Sequence, residues 1–271
     1  MIGRSAPSRV HRPSTLADLT YALLNDPAAE VVGGGTLALP RWGGHGAPES
    51  VVHLPSVLEL RRRSRDAGHV TLGACVTLTE IARAPGLPNA LRSAAATIGG
   101  PALRAAATIG GNVTAARPGC LAAVLLTLDA SAHVIGRYPM TAPRHVPVET
   151  VLGGADLVVL SVRWQGAVGD RTAFARTAVR AAGGPNTASV AVRLGRGHCG
   201  IAVGSTGSVP HRLPHAEAVW RDHHCARRTA AAAADEAVVL PGRAAGEDYR
   251  RAAVKVLTRR LLTELEEEES A

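Results

Sequence analysis

The chain has 271 residues, 46% of them hydrophobic, which is enough to bury a real core in one large or two compact domains and excludes a disordered tail. No apolar run approaches the roughly 18 residues of a membrane span, and MIGRSAPSRVHRPS has no apolar segment like that of a signal peptide, so a cytoplasmic protein without a membrane span is expected. The formal charge of +8 raises nucleic-acid binding, but the arginines read as scattered and 3% aromatic residues leave few rings for base stacking, so no nucleic-acid partner is expected.

Pro13-Ser14-Thr15 opens a short helix, with Thr15 as cap, Asp18 favourably placed in the first turn, and Leu16, Leu19 and Leu23 on one face. Asn25-Asp26-Pro27 stops it, and Glu30-Val31-Val32 predicts a strand that runs into Gly33-Gly34-Gly35-Thr36. Further strands are expected at Val51–Leu54 and His69–Val76, and Thr77 to Glu80 is a capping box for a short helix ended by Pro85. A helix from about Pro88 carries, as its last turn, the heptapeptide Ala-Ala-Ala-Thr-Ile-Gly-Gly that starts at Ala94 and recurs once at Ala105. A single recurrence excludes a solenoid, which needs several units. Gly99-Gly100-Pro101 ends the first copy, so substitution at Gly100 is expected mainly to cost stability. The second copy is expected to lead into a loop, Asn112–Gly119, before an amphipathic helix with Leu121, Val124, Leu125 and Leu128 on one face.

Leu157–Val162 predicts a continuous apolar strand. From about Gly166 the texture changes: Arg171–Val179, Ser189–Leu194 and His198–Val203 read as antiparallel strands, followed by alanine-rich helices. This places a domain boundary between residues 1–165 and 166–271. The last helix, about Glu247 to Leu265, has Val254, Leu257, Leu261 and Leu265 on one face, and Glu264 to Glu269 is expected to fray because acid sits at the negative pole of the dipole.

A strand ending in three glycines and a threonine can turn its N–H groups toward one point and hold phosphate oxygens. Thr108-Ile109-Gly110-Gly111-Asn112 offers the same donors plus a hydroxyl and an amide, so the two segments could grip a pyrophosphate from two sides. The structural alternative is that both are ordinary glycine turns. Neither is a Walker A loop, since no Gly-Lys occurs, and neither has GxGxxG spacing. Cys75, Cys120, Cys199 and Cys225 form no CxxC pair, so they build no zinc or iron–sulfur motif. Pro214 separates His211 from His215, and His223-His224-Cys225 is too local for a tetrahedral site, so these read as surface residues and no metal is expected. No motif context suggests a Ser-His-Asp arrangement. Cys120 reads either as a redox thiol or as a small buried filler.

The succession HRPSTL, VVGGGTLAL, VTLGACVTLTEIA, IGGPALRAAATIGGNVTAARPG, LAAVLLTLDA, DLVVLSVRW and GEDYRRAAVKVLTRRLL resembles, over nearly the whole chain, the FAD-binding medium subunit of molybdenum hydroxylases. That family includes the flavin subunits or domains of carbon monoxide dehydrogenase, xanthine dehydrogenase and 4-hydroxybenzoyl-CoA reductase. ATIGGN is the most specific part, and GGGT is a variant of the family's AGGTDL. The resemblance implies an α+β fold: a PCMH-type FAD-binding α/β region of two subdomains, about 1–60 and 61–165, then a C-terminal domain of three antiparallel strands with helices.

It also implies FAD as cofactor. Val32, Gly33, Gly34, Gly35, Thr36 and Leu37 would wrap its pyrophosphate, Thr108, Gly110, Gly111 and Asn112 would form the second loop, and Ile98 and Gly99 would lie near the flavin. The implied role is electron relay from iron–sulfur clusters on a partner to a small-molecule acceptor, with iron–sulfur and molybdopterin subunits as partners. A stand-alone flavoprotein and a degenerate, non-enzymatic member are the alternatives. Two positions depart from the pattern: Leu37 and Cys120 stand where the family carries acids, which at about 1.5 to 3 kcal/mol per charged hydrogen bond weakens the hold on FAD. Arg104, Arg117 and Arg176 are the candidate cations for the reduced ring.

Overall fold

A computed structural model of the chain describes residues 6–115, 120–137, 140–152, 156–166, 169–178, 186–195, 197–205, 207–240 and 245–270. It begins with β1 (Arg9–His11), α1 (Leu16–Asn25), β2 (Glu30–Val32), α2 (Ala38–His45) and β3 (Ser50–His53), whose strands form a parallel sheet in the order β1-β3-β2. Thr15 caps α1 as its residues predict: its hydroxyl accepts the Asp18 N–H at 3.1 Å while the Asp18 carboxylate accepts the Thr15 N–H at 3.0 Å. Leu19 and Leu23 of α1 then pack into a core with Val52, Leu54, Val57, Ile135 and Leu160. Helix α2 has no buried residue and so no apolar stripe to announce it. It is held from outside: Glu30 pairs with Arg41 and accepts a hydrogen bond from Trp42 Nε1 at 3.1 Å.

The middle of the chain contributes β4 (Arg63–Asp66), β5 (His69–Gly73), α3 (Leu78–Arg83), α4 (Asn89–Ala96), α5 (Pro101–Ala106), α6 (Ile109–Val113), α7 (Cys120–Thr127), β6 (Ser131–Gly136), β7 (Arg144–Pro147) and β8 (Leu157–Gln165). Its five strands are antiparallel throughout, in the order β4-β5-β8-β6-β7. Thr77 caps α3 in the expected reciprocal box with Glu80. Two expectations are corrected. The second heptapeptide does not pass into a loop at Asn112, because Thr108 caps a new helical turn, α6, that continues through Val113; residues 116–119 lie outside the described residues. Helix α7 is not amphipathic either, since all eight of its residues are buried. It packs against α4 on one side and the next sheet on the other, so no face is left for water.

That sheet is built from β9 (Arg171–Ala178), β10 (Asn186–Gly195), β11 (His198–Gly204) and the two-residue β12 (His211–Arg212), antiparallel in the order β12-β11-β10-β9. It is covered by α8 (Pro214–His223), α9 (Ala226–Glu236) and α10 (Glu247–Ser270). Val254, Leu257, Leu261 and Leu265 of α10 are buried on its inner face. The acidic end expected to fray stays helical to Ser270. Arg171 donates to the Leu265 carbonyl and pairs with Glu269 at 2.7 Å, placing a cation where the helix dipole favours one.

Cys75, Cys120 and Cys199 are buried and Cys225 is half-buried. Burial pushes the Cys75 and Cys199 thiols up to about 12. In the unfolded chain these thiols lose their protons near the ordinary value, so above about pH 9 the unfolded state binds fewer protons and stability falls as pH rises. A water-soluble thiol reagent at neutral pH is expected to label Cys225 alone in the folded chain, and the unfolding midpoint is expected to drop between about pH 9 and pH 11.

Candidate functional site

The two glycine segments meet. A Cβ on Gly34 would lie 2.5 Å from the carbonyl carbon of Ala106 and closer still to its oxygen, and one on Gly33 would lie 2.8 Å from Thr108 Oγ1. Both glycines are therefore needed for one loop to press on the other. Gly35 is needed for its backbone, at φ +71°. Among the described residues, none accepts a hydrogen bond from the N–H groups of Gly34, Gly35 or Thr36. These donors crown the end of β2, half-exposed, where a strand-to-helix turn can present them to an anion.

The second segment is built differently from the free nest its glycines suggest. Ile109 N–H donates to Val76 O at 3.0 Å, Gly110 N–H to Ala74 O at 2.9 Å, Gly111 N–H to Thr108 Oγ1 at 3.2 Å and Asn112 N–H to Thr108 O at 3.0 Å. Its donors thus anchor the turn to the segment after β5. Gly110 is pinned there, with a Cβ only 2.8 Å from the Ala74 methyl, whereas a Cβ on Gly111 would meet Thr108 Oγ1 at 3.2 Å and otherwise open space. What the second segment offers a ligand is that bare surface and the Asn112 side chain, whose Oδ1 is buried and has no hydrogen-bond partner among the described residues. A buried, unpaired amide oxygen is costly, and a ligand hydroxyl would satisfy it.

Comparison with known proteins gives the family. Residues 6–162 match the family described as the FAD binding domain in molybdopterin dehydrogenase. The chain belongs to that family. A putative xanthine dehydrogenase FAD-binding subunit of Escherichia coli K12 is 35% identical over 109 residues, which cover 38% of this chain and 37% of the relative. A xanthine dehydrogenase FAD-binding subunit of Escherichia coli O157:H7 is 34% identical over the same length and the same shares of each chain. The chain therefore aligns with well under half the length of these curated relatives. The fold itself is shared more widely: a chain of carbon monoxide dehydrogenase from Hydrogenophaga pseudoflava superposes with a TM-score of 0.85 at 22% identity, covering 97% of this chain and 98% of that one. A chain of quinoline 2-oxidoreductase from Pseudomonas putida 86 gives 0.82 at 23%, covering 98% of each.

For this FAD-binding family the residues present fit the cofactor at the junction: three free N–H groups, one orphaned amide oxygen and one Cβ-free face. The other expected residues fall around it. Val32 is buried at the end of β2, and Leu37, 60% exposed, precedes α2. Ile98 and Gly99 form the turn between α4 and α5, Gly99 at φ +55°, and α5 separates them from Thr108 by about 9 Å of helix. Arg104 is already engaged there, donating to the carbonyls of Ile98, at 3.4 Å, and Gly99. It steadies the turn. Arg176 sits on β9 opposite Ser189, and Arg117 lies outside the described residues. Cys120 opens α7 with 1% exposure inside the central core. The residues that sequence reasoning missed are Ala106 and Ala107, whose backbone abuts Gly34 and whose Ala107 carbonyl accepts the Leu78 N–H at 2.9 Å. No side-chain signal marks such a backbone role.

Gly100 also changes meaning. It caps α5 at φ −83°, and a Cβ there would meet nothing within 4 Å. Gly100→Ala is expected to leave stability within about 0.5 kcal/mol in urea denaturation, contrary to the expectation that this glycine carries stability. The conformationally demanding position is its neighbour, Gly99.

Proposed function

We propose that the chain is the flavin-carrying component of a molybdenum hydroxylase-like dehydrogenase, relaying electrons from the iron–sulfur clusters of a partner subunit to a small-molecule acceptor in the cytoplasm. The observation that carries this reading is the contact of the two glycine segments, Gly33 on Thr108 and Gly34 on Ala106, beside N–H groups of Gly34, Gly35 and Thr36 that no described residue accepts. The N–H groups suit a diphosphate and the Asn112 amide oxygen suits a sugar or ribityl hydroxyl. FAD, once bound, supplies the redox carrier; the chain binds it, orients it and covers it.

Residues 1–165 are read as the FAD-binding part and 166–271 as a second domain. Val32 to Leu37 hold the diphosphate end, Thr108, Gly110, Gly111 and Asn112 shape the opposite wall, and Ile98 and Gly99 border the ring. Leu37 and Cys120 contribute no charge to it, so binding is weaker than an acid at either place would give. Iron–sulfur and molybdopterin subunits are the partners this role requires, because the four cysteines form no cluster motif. The test is a visible spectrum of the purified full chain with and without added FAD. A flavin spectrum is expected, and Asn112→Ala is expected to weaken FAD about tenfold without lowering the unfolding midpoint. A chain that stays colourless in saturating FAD would sink the reading.

A further inference from the structure

The arginines are less scattered than composition suggests: Arg61, Arg62, Arg63 and Arg65 occupy four of five consecutive positions and all are exposed. Arg61 and Arg62 precede β4 and Arg63 and Arg65 lie on it, the end strand of the five-stranded sheet. Among the described residues none of the four forms an ion pair with an acid; Arg65 donates only to the Gly86 carbonyl, at 3.3 Å. The backbone of β4 is open as well. Gly73 N–H donates to Arg62 O at 2.9 Å and a two-residue turn, Ala67 at φ +46° and Gly68 at φ +79°, joins Asp66 to His69. Arg62, Ser64 and Asp66 therefore bond inward to β5, and Arg63 and Arg65 turn their N–H and C=O groups outward.

From these two features we infer that β4 is a docking edge for an extended, acidic segment of a partner protein, which adds as a sixth strand. Backbone pairing with Arg63 and Arg65 supplies the register, and carboxylates at alternate positions of the incoming strand meet their guanidinium groups. An acidic polypeptide is favoured over nucleic acid because it uses the free backbone edge, which a phosphodiester chain does not, and because the strip carries no aromatic residue for base stacking. The inference stands independently of the flavin reading.

The experiment is fluorescence anisotropy of the full chain with a labelled peptide of about eight residues, glutamate alternating with threonine, against the same peptide with glutamine. The glutamate peptide is expected to bind at least about tenfold more tightly, and to weaken as salt rises from about 50 to about 300 mM. The double variant Arg63→Glu/Arg65→Glu is expected to lose this preference. Arg65→Pro, which removes one outward N–H and leaves the inward ladder intact, is expected to weaken binding more than Arg65→Ala. Unchanged thermal midpoints identify these as binding effects. Equal binding of the glutamine peptide, indifference to charge reversal, or proline no worse than alanine would overturn the inference, and the arginines would then only guard an edge against self-pairing. Tighter binding of an oligonucleotide of equal charge would overturn it too.

Discussion

Gly34→Ala is expected to lower the unfolding free energy by about 3 kcal/mol and to abolish FAD binding, whereas Gly111→Ala is expected to abolish FAD binding alone. At Gly34 the new methyl would enter the space of the Ala106 carbonyl, with the Ala106 carbon at 2.5 Å and the Ala107 nitrogen at 3.2 Å. Neither can give way cheaply, because Ala107 N–H is bonded to Leu103 O at 2.7 Å and Ala107 O to the Leu78 N–H at 2.9 Å. The strain is relieved only by lifting the glycine turn off α5, which parts the two glycine segments. At Gly111 the methyl sits in a helical turn, where alanine is the better helix former by up to about 1 kcal/mol, and it touches only Thr108 Oγ1 at 3.2 Å. Denaturant unfolding and flavin fluorescence titration on the same preparations separate the two outcomes. A Gly34→Ala chain as stable as wild type would mean that the loops do not press together, and a Gly111→Ala chain with full affinity would place FAD elsewhere.

Residues that act locally were readable. Thr15 with Asp18, and Thr77 with Glu80, announce their helices because both halves of each capping box lie within one turn. The strands Leu157–Gln165 and His198–Gly204 were readable from apolar runs that the core buries. Helix α2 was not, since it buries nothing and depends on Glu30 reaching across the glycine turn to Arg41 and Trp42. The period of α7 suggests a single apolar face, because leucines at helical spacing look alike whether one side or every side is covered. The two glycine segments looked like equal phosphate nests. Only long-range pairing, Ile109 and Gly110 with Val76 and Ala74, reveals that the second has no free donors of that kind. Resemblance located the segments that make the candidate site; their different physical jobs come from the fold.

Arg193→Ala is expected to cost about 3 to 5 kcal/mol, the range for removing one partner of a buried ion pair. The Arg193 side chain is 9% exposed and that of Asp170 14%, and the guanidinium meets one carboxylate oxygen twice, at 2.7 Å from Nε and 2.6 Å from the second amino group. Its remaining nitrogen reaches the Thr127 carbonyl at 3.4 Å and stands 3.6 Å from Asp129, at the corner where α7 turns into β6. One side chain on β10 thus binds the lead-in to β9 and the end of the buried helix together. Gly195 leaves room for this, since a Cβ there would collide with the Asp170 carboxylate. Alanine would leave the largely buried Asp170 carboxylate without its cation, so the penalty is the unpaired charge more than the lost contact. The double variant Arg193→Met/Asp170→Leu, which removes both charges and keeps apolar volume, is expected to recover most of the loss. Guanidinium unfolding of wild type, single and double variants tests this: a single variant within about 1 kcal/mol of wild type, or a double variant no better than the single, would show that the pair does not hold this corner.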